Sequence, residues 1–213
     1  MKRLIRHLIT CFSLLLLPAG ASITFIPHES GGDKRDWAFE FGVAFITTNC
    51  IDDFNGGDFN IGRGPAGGEI YVLTASRRLG ELEWNIGNCT FRPQLELPFT
   101  LEIVDENSRS PFLDYNVSFN VRWIDFPWND YVSTTFSMGL GLSYSEKVYL
   151  MDIERHPNKD RSNLKFNWPI AMTFASPRFP DHQAMIFILH QSGGRVFDKG
   201  GVNSVGFGFR RGF

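Results

Sequence analysis

Beyond residue 21 the 213-residue chain has no uninterrupted apolar run of the roughly 18 residues that a transmembrane helix needs. A helical membrane anchor is therefore excluded for the body of the protein. There is no excess of charge of either sign: the formal net charge is −2. That excludes a basic surface built for nucleic acid and an acidic tail. Charged residues make up 21% of the chain, below the roughly 25% of an ordinary soluble domain. No cluster of His, Cys, Asp and Glu has the spacing of a metal site. Gly206-Phe207-Gly208-Phe209 is not followed by a helical pattern, so it reads as close strand packing rather than a nucleotide loop. No cofactor is implied.

Cysteine is scarce too, with three in all. Cys11 lies in the apolar part of the first twenty residues and lacks the small-residue pattern of a lipoprotein signal. Cys50 and Cys89 leave one disulfide open as an option if the chain is exported. What the chain does have is Phe and Gly, 21 of each, and 15% aromatics overall. That mixture suits a sheet that turns aromatic side chains toward something apolar.

The N-terminus reads as a separate object. Lys2, Arg3 and Arg6 precede an apolar stretch from Leu8 to Leu17, and Pro18 leads into Ala19-Gly20-Ala21. Basic residues, a short apolar region and a small-residue cleavage site make a secretory signal peptide. Residues 1–21 are expected to be removed and residues 22–213 to form one exported domain.

Strict alternation of apolar and polar or small residues dominates the rest. Trp37, Phe39, Phe41, Val43 and Phe45 form one such series. Leu113, Tyr115, Val117, Phe119, Val121 and Trp123 form another, and the pattern recurs over 92–104, 131–145 and 164–176. A strand of this kind has one apolar face. In a soluble sandwich that face would meet another sheet; in an outer-membrane barrel it meets lipid. Runs of about 10 to 13 residues are long for a soluble sheet, where about 5–6 is usual, and right for tilted membrane strands. Trp37, Tyr115, Trp123, Tyr144 and Trp168 sit near strand ends, where aromatic girdles lie.

The reading is all-β: an antiparallel up-and-down transmembrane β-barrel. Eight strands are expected, near 37–48, 67–79, 92–104, 113–124, 131–145, 164–176, 183–192 and 203–213, with ten as the alternative. Most connections alternate long and short, the outer-membrane habit of long surface loops and short periplasmic turns. The stretch 80–91 breaks that rule and is open to three readings: a longer strand, a bulge or a long turn. Glu40, Glu96, Glu102 and Arg122 fall on polar faces and are expected to form a lumenal charge network. His156 and His182 read as solvated loop residues. The last residue, Phe213, ends an alternating run through Val205, Phe207 and Phe209. A terminal aromatic of this kind is similar to the signal read by the outer-membrane insertion machinery, which is the expected assembly partner.

One stretch carries chemistry. His190 and Ser192 are two residues apart on a predicted strand, so they share a face. A serine nucleophile needs such a base within reach. Their phase with Ala184, Ile186 and Ile188 does not decide between lipid and lumen, because Met185, Phe187 and Leu189 make the other face apolar as well.

The run His190-Gln191-Ser192-Gly193-Gly194, followed by Gly201-Val202-Asn203-Ser204-Val205-Gly206 and the terminal Phe, resembles PagL-type lipid A deacylases. The likeness is confined to Trp168–Phe213. It implies an eight-stranded outer-membrane barrel of a Gram-negative cell that hydrolyses an acyl ester of lipid A. Ser192 would be the nucleophile and His190 the general base. The family's third member is a Glu, but the matching position holds Asn203; the family's Asn after the serine is Gly193. Asn203 would orient the histidine without charge, and Asp198 is a substitute carboxylate. The expected partners are lipid A or lipopolysaccharide as substrate and no nucleic acid, with a homodimer as one option. Two other readings stand beside this one: a non-catalytic small barrel with a structural or adhesion role, and a soluble exported β-sandwich.

Overall fold

The computed structural model describes residues 22–28, 36–56, 59–86 and 88–213. The expected signal peptide lies outside the described residues. Ten strands follow in chain order: β1 (Ser22–Pro27), β2 (Trp37–Thr47), β3 (Gly68–Ile86), β4 (Cys89–Phe91), β5 (Gln94–Glu106), β6 (Phe112–Trp123), β7 (Ser133–Ser145), β8 (Leu164–Ala175), β9 (His182–Ser192) and β10 (Gly201–Gly212). A short α-helix, α1 (Leu150–Arg155), lies in the β7–β8 connection, and a 3-10 turn, Ile51–Gly56, in the β2–β3 connection. Eight of the strands, all but β1 and β4, pair in the order β3-β2-β10-β9-β8-β7-β6-β5, and a β3–β5 ladder closes the ring. Every pairing is antiparallel. The fold is thus the expected closed eight-stranded barrel, with two short strands outside it.

The first and last strands of the ring meet along an aromatic seam. Phe39 stacks on Phe213 at 5.2 Å and Phe41 on Phe209 at 6.1 Å, while Phe45 faces Phe207 at 6.5 Å. Trp37 and Phe213 exchange backbone hydrogen bonds of 3.1 and 2.9 Å, so Phe213 is tied into closure. These rings face outward with the rest of the apolar series: Phe41 is 60% exposed and Phe119 59%. Apolar faces that point away from one another around a closed ring rule out the sandwich reading, in which they would meet.

The open stretch 80–91 resolves into two of its three readings together. β3 runs on to Ile86, with a bulge between Arg78 and Gly80, and a hairpin leads into β4. β1 pairs with the extension of β3 from Pro27↔Gly80 to Ser22↔Asn85.

The lumen is filled, as the narrow interior of an eight-stranded barrel allows. Toward the end with the short turns, Arg122 Nε lies 3.0 Å from both oxygens of Glu96, and Arg122 Nη1 donates to Thr135 at 2.8 Å. Arg210 joins Glu40 to Glu96, the latter at 2.6 Å. Two cations and two anions therefore balance, which is what makes burying four charges tolerable. Ile46, Ile70, Val72, Phe187 and Leu189 form an apolar cluster beyond them. At the long-loop end the β7–β8 connection turns inward instead of standing clear as a surface loop. Tyr149 and Met151 are 1% and 2% exposed. The Tyr149 hydroxyl donates to Asp114 at 2.9 Å, and the Leu150 N–H donates to Glu106 at 2.7 Å. Glu102 belongs to this second network and accepts from Asn116 at 2.9 Å.

One open option closes and one expectation needs correction. Cys50 lies at the long-loop end, just after β2, and Cys89 at the opposite end in the β3–β4 hairpin; both are free and exposed. Strands of this length, at roughly 3.3 Å per residue, keep them tens of ångströms apart, beyond the reach of a disulfide. His156 is no freely solvated residue either, since its Nδ1 sits 3.0 Å from the buried carboxylate of Asp152.

Candidate active site

Burial along β9 decides the phase that the sequence left open. Met185, Phe187, Leu189 and Gln191 are buried, while Ala184 and Ile186 are exposed and Ile188, His190 and Ser192 half-buried. His190 and Ser192 therefore lie on the outer wall of the barrel, at the long-loop end. Met185, Phe187 and Leu189 are apolar because they supply the internal cluster. That is why both faces of the strand looked alike.

Antiparallel register brings Asn203 of β10 directly beside His190, with Trp168 of β8 on the other side. The Trp168 and His190 rings are 5.9 Å apart and tilted. Asn203 Oδ1 is 2.5 Å from His190 Nδ1. Asn203 Nδ2 donates to the backbone carbonyl of Asn49 at 2.7 Å, and the backbone carbonyl of Asn203 accepts from Thr47 Oγ1 at 3.0 Å.

These contacts fix a protonation pattern. The Asn49 carbonyl can only accept, so the nitrogen of the Asn203 amide must face it and the amide oxygen must face the imidazole. That oxygen can only accept as well, so the proton sits on His190 Nδ1. In the neutral ring the lone pair is then on Nε2, the tautomer that a histidine base requires. Asn203 is 3% exposed, which keeps water from competing for either contact. Arg155 of α1 holds the Asn49 carbonyl from another direction, through Nη1 at 2.9 Å, and its Nη2 reaches Cys50 Sγ at 2.9 Å.

The Ser192 hydroxyl accepts from the Gly194 N–H at 3.2 Å. Gly194 has φ +59°, the left-handed region that glycine occupies without strain. Next to it, Gly193 has no room for a side chain: a Cβ there would stand 1.8 Å from Asp198 Oδ1. The Asn that the resembled family carries at this position cannot be accommodated while Asp198 stays where it is.

Asp198 does not serve as the substitute carboxylate. Its oxygens accept from the Lys165 ammonium at 2.5 Å, the Ser162 N–H at 2.8 Å and the Gly200 N–H at 2.8 Å. Burial alone would push this carboxyl up, but the Lys165 hydrogen bond, the two N–H groups and the lysine charge outweigh it and hold it below the ordinary range. Its work is to staple the β9–β10 loop to β8. Sequence reasoning missed Asn49, Thr47, Arg155 and Trp168. Asn49 acts through a backbone carbonyl, which no side-chain pattern betrays, and the other three reach the site only through strand register and the folded-in loop.

No family model and no curated protein matches the chain. Among solved structures it is similar to the outer membrane enzyme PagL, at 11% identity and a TM-score of 0.50, with 82% of this chain and 98% of that one covered. At that identity the likeness is one of fold: a closed antiparallel barrel of the outer-membrane kind.

Proposed function

We propose that the protein is an outer-membrane esterase that hydrolyses an acyl ester of lipid A or a similarly acylated lipid. The observation that carries this reading is the outward-facing His190–Ser192 pair, with an Asn203 amide oriented to keep His190 in the basic tautomer. In this reading residues 1–21 direct export and the insertion machinery reads the C-terminal Phe. Both ends of the mature chain stay in the periplasm. The long-loop end then faces the outer leaflet, and the pair meets the acyl esters of lipids that lie against the barrel wall.

The chemistry follows from the donor set. Ser192 Oγ attacks the ester carbonyl carbon as His190 Nε2 takes the hydroxyl proton. The carbonyl electrons move to oxygen, and the Gly194 N–H is the nearby donor available to the oxyanion. Collapse breaks the carbon–oxygen bond, and the imidazolium returns its proton to the departing alkoxide. A water, deprotonated by the same nitrogen, then releases the fatty acid and restores Ser192. Asn203 orients the ring throughout but gives the imidazolium no countercharge. That neutrality is the specific observation favouring a second reading, a non-catalytic small barrel with a structural or adhesion role.

Mass spectrometry of lipid A from cells with and without the protein separates the two. The esterase reading expects loss of one acyl chain that depends on Ser192 and disappears in Ser192→Ala. Identical spectra, with Ser192→Ala changing nothing, would leave the non-catalytic barrel.

A further inference from the structure

The part of β3 that outruns the barrel has its own sidedness. Between Arg78 and Gly80 the register with β5 shifts by one residue: Arg78 pairs with Glu96, Gly80 with Leu95 and Glu81 with Gln94. Before the shift the odd-numbered residues of β3 face outward; after it the even-numbered ones do. The bulge therefore keeps Leu82, Trp84 and Ile86 on the side of the barrel's apolar exterior and Glu81, Glu83 and Asn85 on the other.

The flanking strands match. Phe25 pairs with Leu82, and Ile23 and Phe91 both pair with Trp84, so all stand on the same face. Ile23, Phe25 and Phe91 are 42%, 47% and 47% exposed. The reverse face carries Thr24, a Glu83–Arg92 ion pair of 2.7 Å and a Thr90–Asn85 hydrogen bond of 2.6 Å, with Ile26 its apolar exception. The result is a three-stranded amphipathic sheet, β1-β3-β4, hung from the short-turn end of the barrel.

We propose that this apolar face rests on the periplasmic leaflet of the membrane, at the boundary between headgroups and acyl chains. Three features select lipid as the occupant. The face is continuous with the barrel's exterior across a bulge that preserves its side. It holds Phe25, Trp84 and Phe91, the aromatic type that anchors at interfaces. The opposite face is polar and ion-paired, as the water side of an interfacial element should be. A strand segment of seven residues spans roughly 20 Å, and tilted near 45° it descends about 15 Å, through the headgroup zone below a barrel belt about 25 Å tall. The proposal does not depend on the esterase reading, because the sheet lies at the other end of the barrel from His190 and Ser192.

Nitroxide labels at Ile23→Cys, Phe25→Cys and Thr24→Cys test it. Cys11, Cys50 and Cys89 would be replaced by Ser, and the protein reconstituted in phosphatidylethanolamine–phosphatidylglycerol vesicles. The expected result is a several-fold higher ratio of oxygen to water-soluble nickel collisions at 23 and 25 than at 24. Equal, water-like ratios at all three positions overturn the proposal. So does shielding of 23 and 25 from both reagents with spin–spin broadening that grows with protein density, which assigns the face to a second copy. If a labelled variant loses heat-modifiable gel mobility and so the barrel, quenching by brominated lipids decides instead: the Trp84 emission, taken as wild type minus Trp84→Phe, must be quenched, and an unquenched difference rejects the proposal.

Discussion

Replacing Asn203 by Asp asks whether the site lacks only a charge. The amide already selects the tautomer, so a carboxylate in its place keeps the Nδ1 contact and adds an attraction for the imidazolium that forms as Ser192 gives up its proton. At about 4 Å that attraction amounts to ~1 kcal/mol in a water-like medium and ~4 kcal/mol at an effective dielectric of 20. Against it stands the Asn49 carbonyl, which loses the Asn203 Nδ2–H but keeps the Arg155 guanidinium at 2.9 Å. The new carboxylate oxygen also faces that carbonyl, acceptor against acceptor, so the change costs about 1–3 kcal/mol. A net gain near 1.4 kcal/mol corresponds to about a tenfold higher turnover. The same charge favours the protonated imidazole, so the acid limb of the pH–rate profile moves to higher pH. The assay is fatty-acid release from vesicles that contain both barrel and lipid A. Asn203→Leu is the control: with nothing to hold the tautomer, it should lose about 10²-fold or more, in line with the effect of a misplaced tautomer in serine hydrolases. If Asn203→Asp is no faster than wild type at any pH, or behaves like Asn203→Leu, the assigned role of this residue is wrong.

The other predictions concern the frame around the site. Arg122→Met removes one of two cations from a charge-balanced buried cluster and leaves Glu96 with Arg210 alone; it should cost about 3–5 kcal/mol, read as a lower urea midpoint for loss of heat-modifiable mobility. Gly193→Asn must displace Asp198 from a position 1.8 Å from the new Cβ, so it should cost about 1–3 kcal/mol and expose the β9–β10 loop to protease. Asp198 titrates below its ordinary value of 3.8, so its contribution is complete above that pH and fades as the pH falls through the lowered value; hydrogen exchange at 193–200 should accelerate only in that acid window. Tyr149 is the opposite case. Burial, then the nearby Asp114 and Glu102 charges, raise its phenol well above 10.0, so the inward-turned β7–β8 loop should hold up to about pH 10 and loosen above it.

Strand positions were legible because the outer wall of the barrel is apolar. Every second residue faces that wall, so the series from Trp37 to Phe45 or Leu113 to Trp123 announces both the strand and its outer face. Legibility failed where the lumen is apolar too. Met185, Phe187 and Leu189 fill the internal cluster, so no contrast was left along β9 to orient His190. The 146–163 stretch misled for a related reason. As one of the long connections it was expected at the surface, but its Asp152 pairs with Lys165 of β8 at 2.9 Å inside the barrel mouth. Tyr149-Leu150-Met151, an apolar island in that stretch, was the visible sign that the loop turns inward. At the site, the pairing of His190 with Asn203 was expected from the resemblance alone; the register that produces it is not revealed by a loop of Gly, Asp and Lys. That Asn203 stands where the resembled family carries a Glu was plain from the residues alone.

The internal networks bear directly on the outer-wall chemistry, because a strand alternates sides at every residue. Gln191 lies between His190 and Ser192 and points the other way, where its Nε2 donates to Asp114 at 2.8 Å. Asp114 also receives the Tyr149 hydroxyl and Ser143 Oγ at 2.7 Å. On the next strand, the Gly201 N–H donates to Asp152 at 3.0 Å, two residues before Asn203. Each of His190, Ser192 and Asn203 is thus flanked, one or two positions away, by a backbone or side-chain group locked into the lumen. A barrel with an open, watery interior would leave β9 and β10 held by ladder hydrogen bonds alone at the very end where they reach the loop. Filling that end with Tyr149, Asp152 and Lys165 gives the two-residue His–Ser spacing the rigidity that the proposed hydrolysis requires to keep reacting groups aligned. The plug and the site are two faces of one strand pair, and loosening the first should blunt the second even though no plug residue lies on the outer wall.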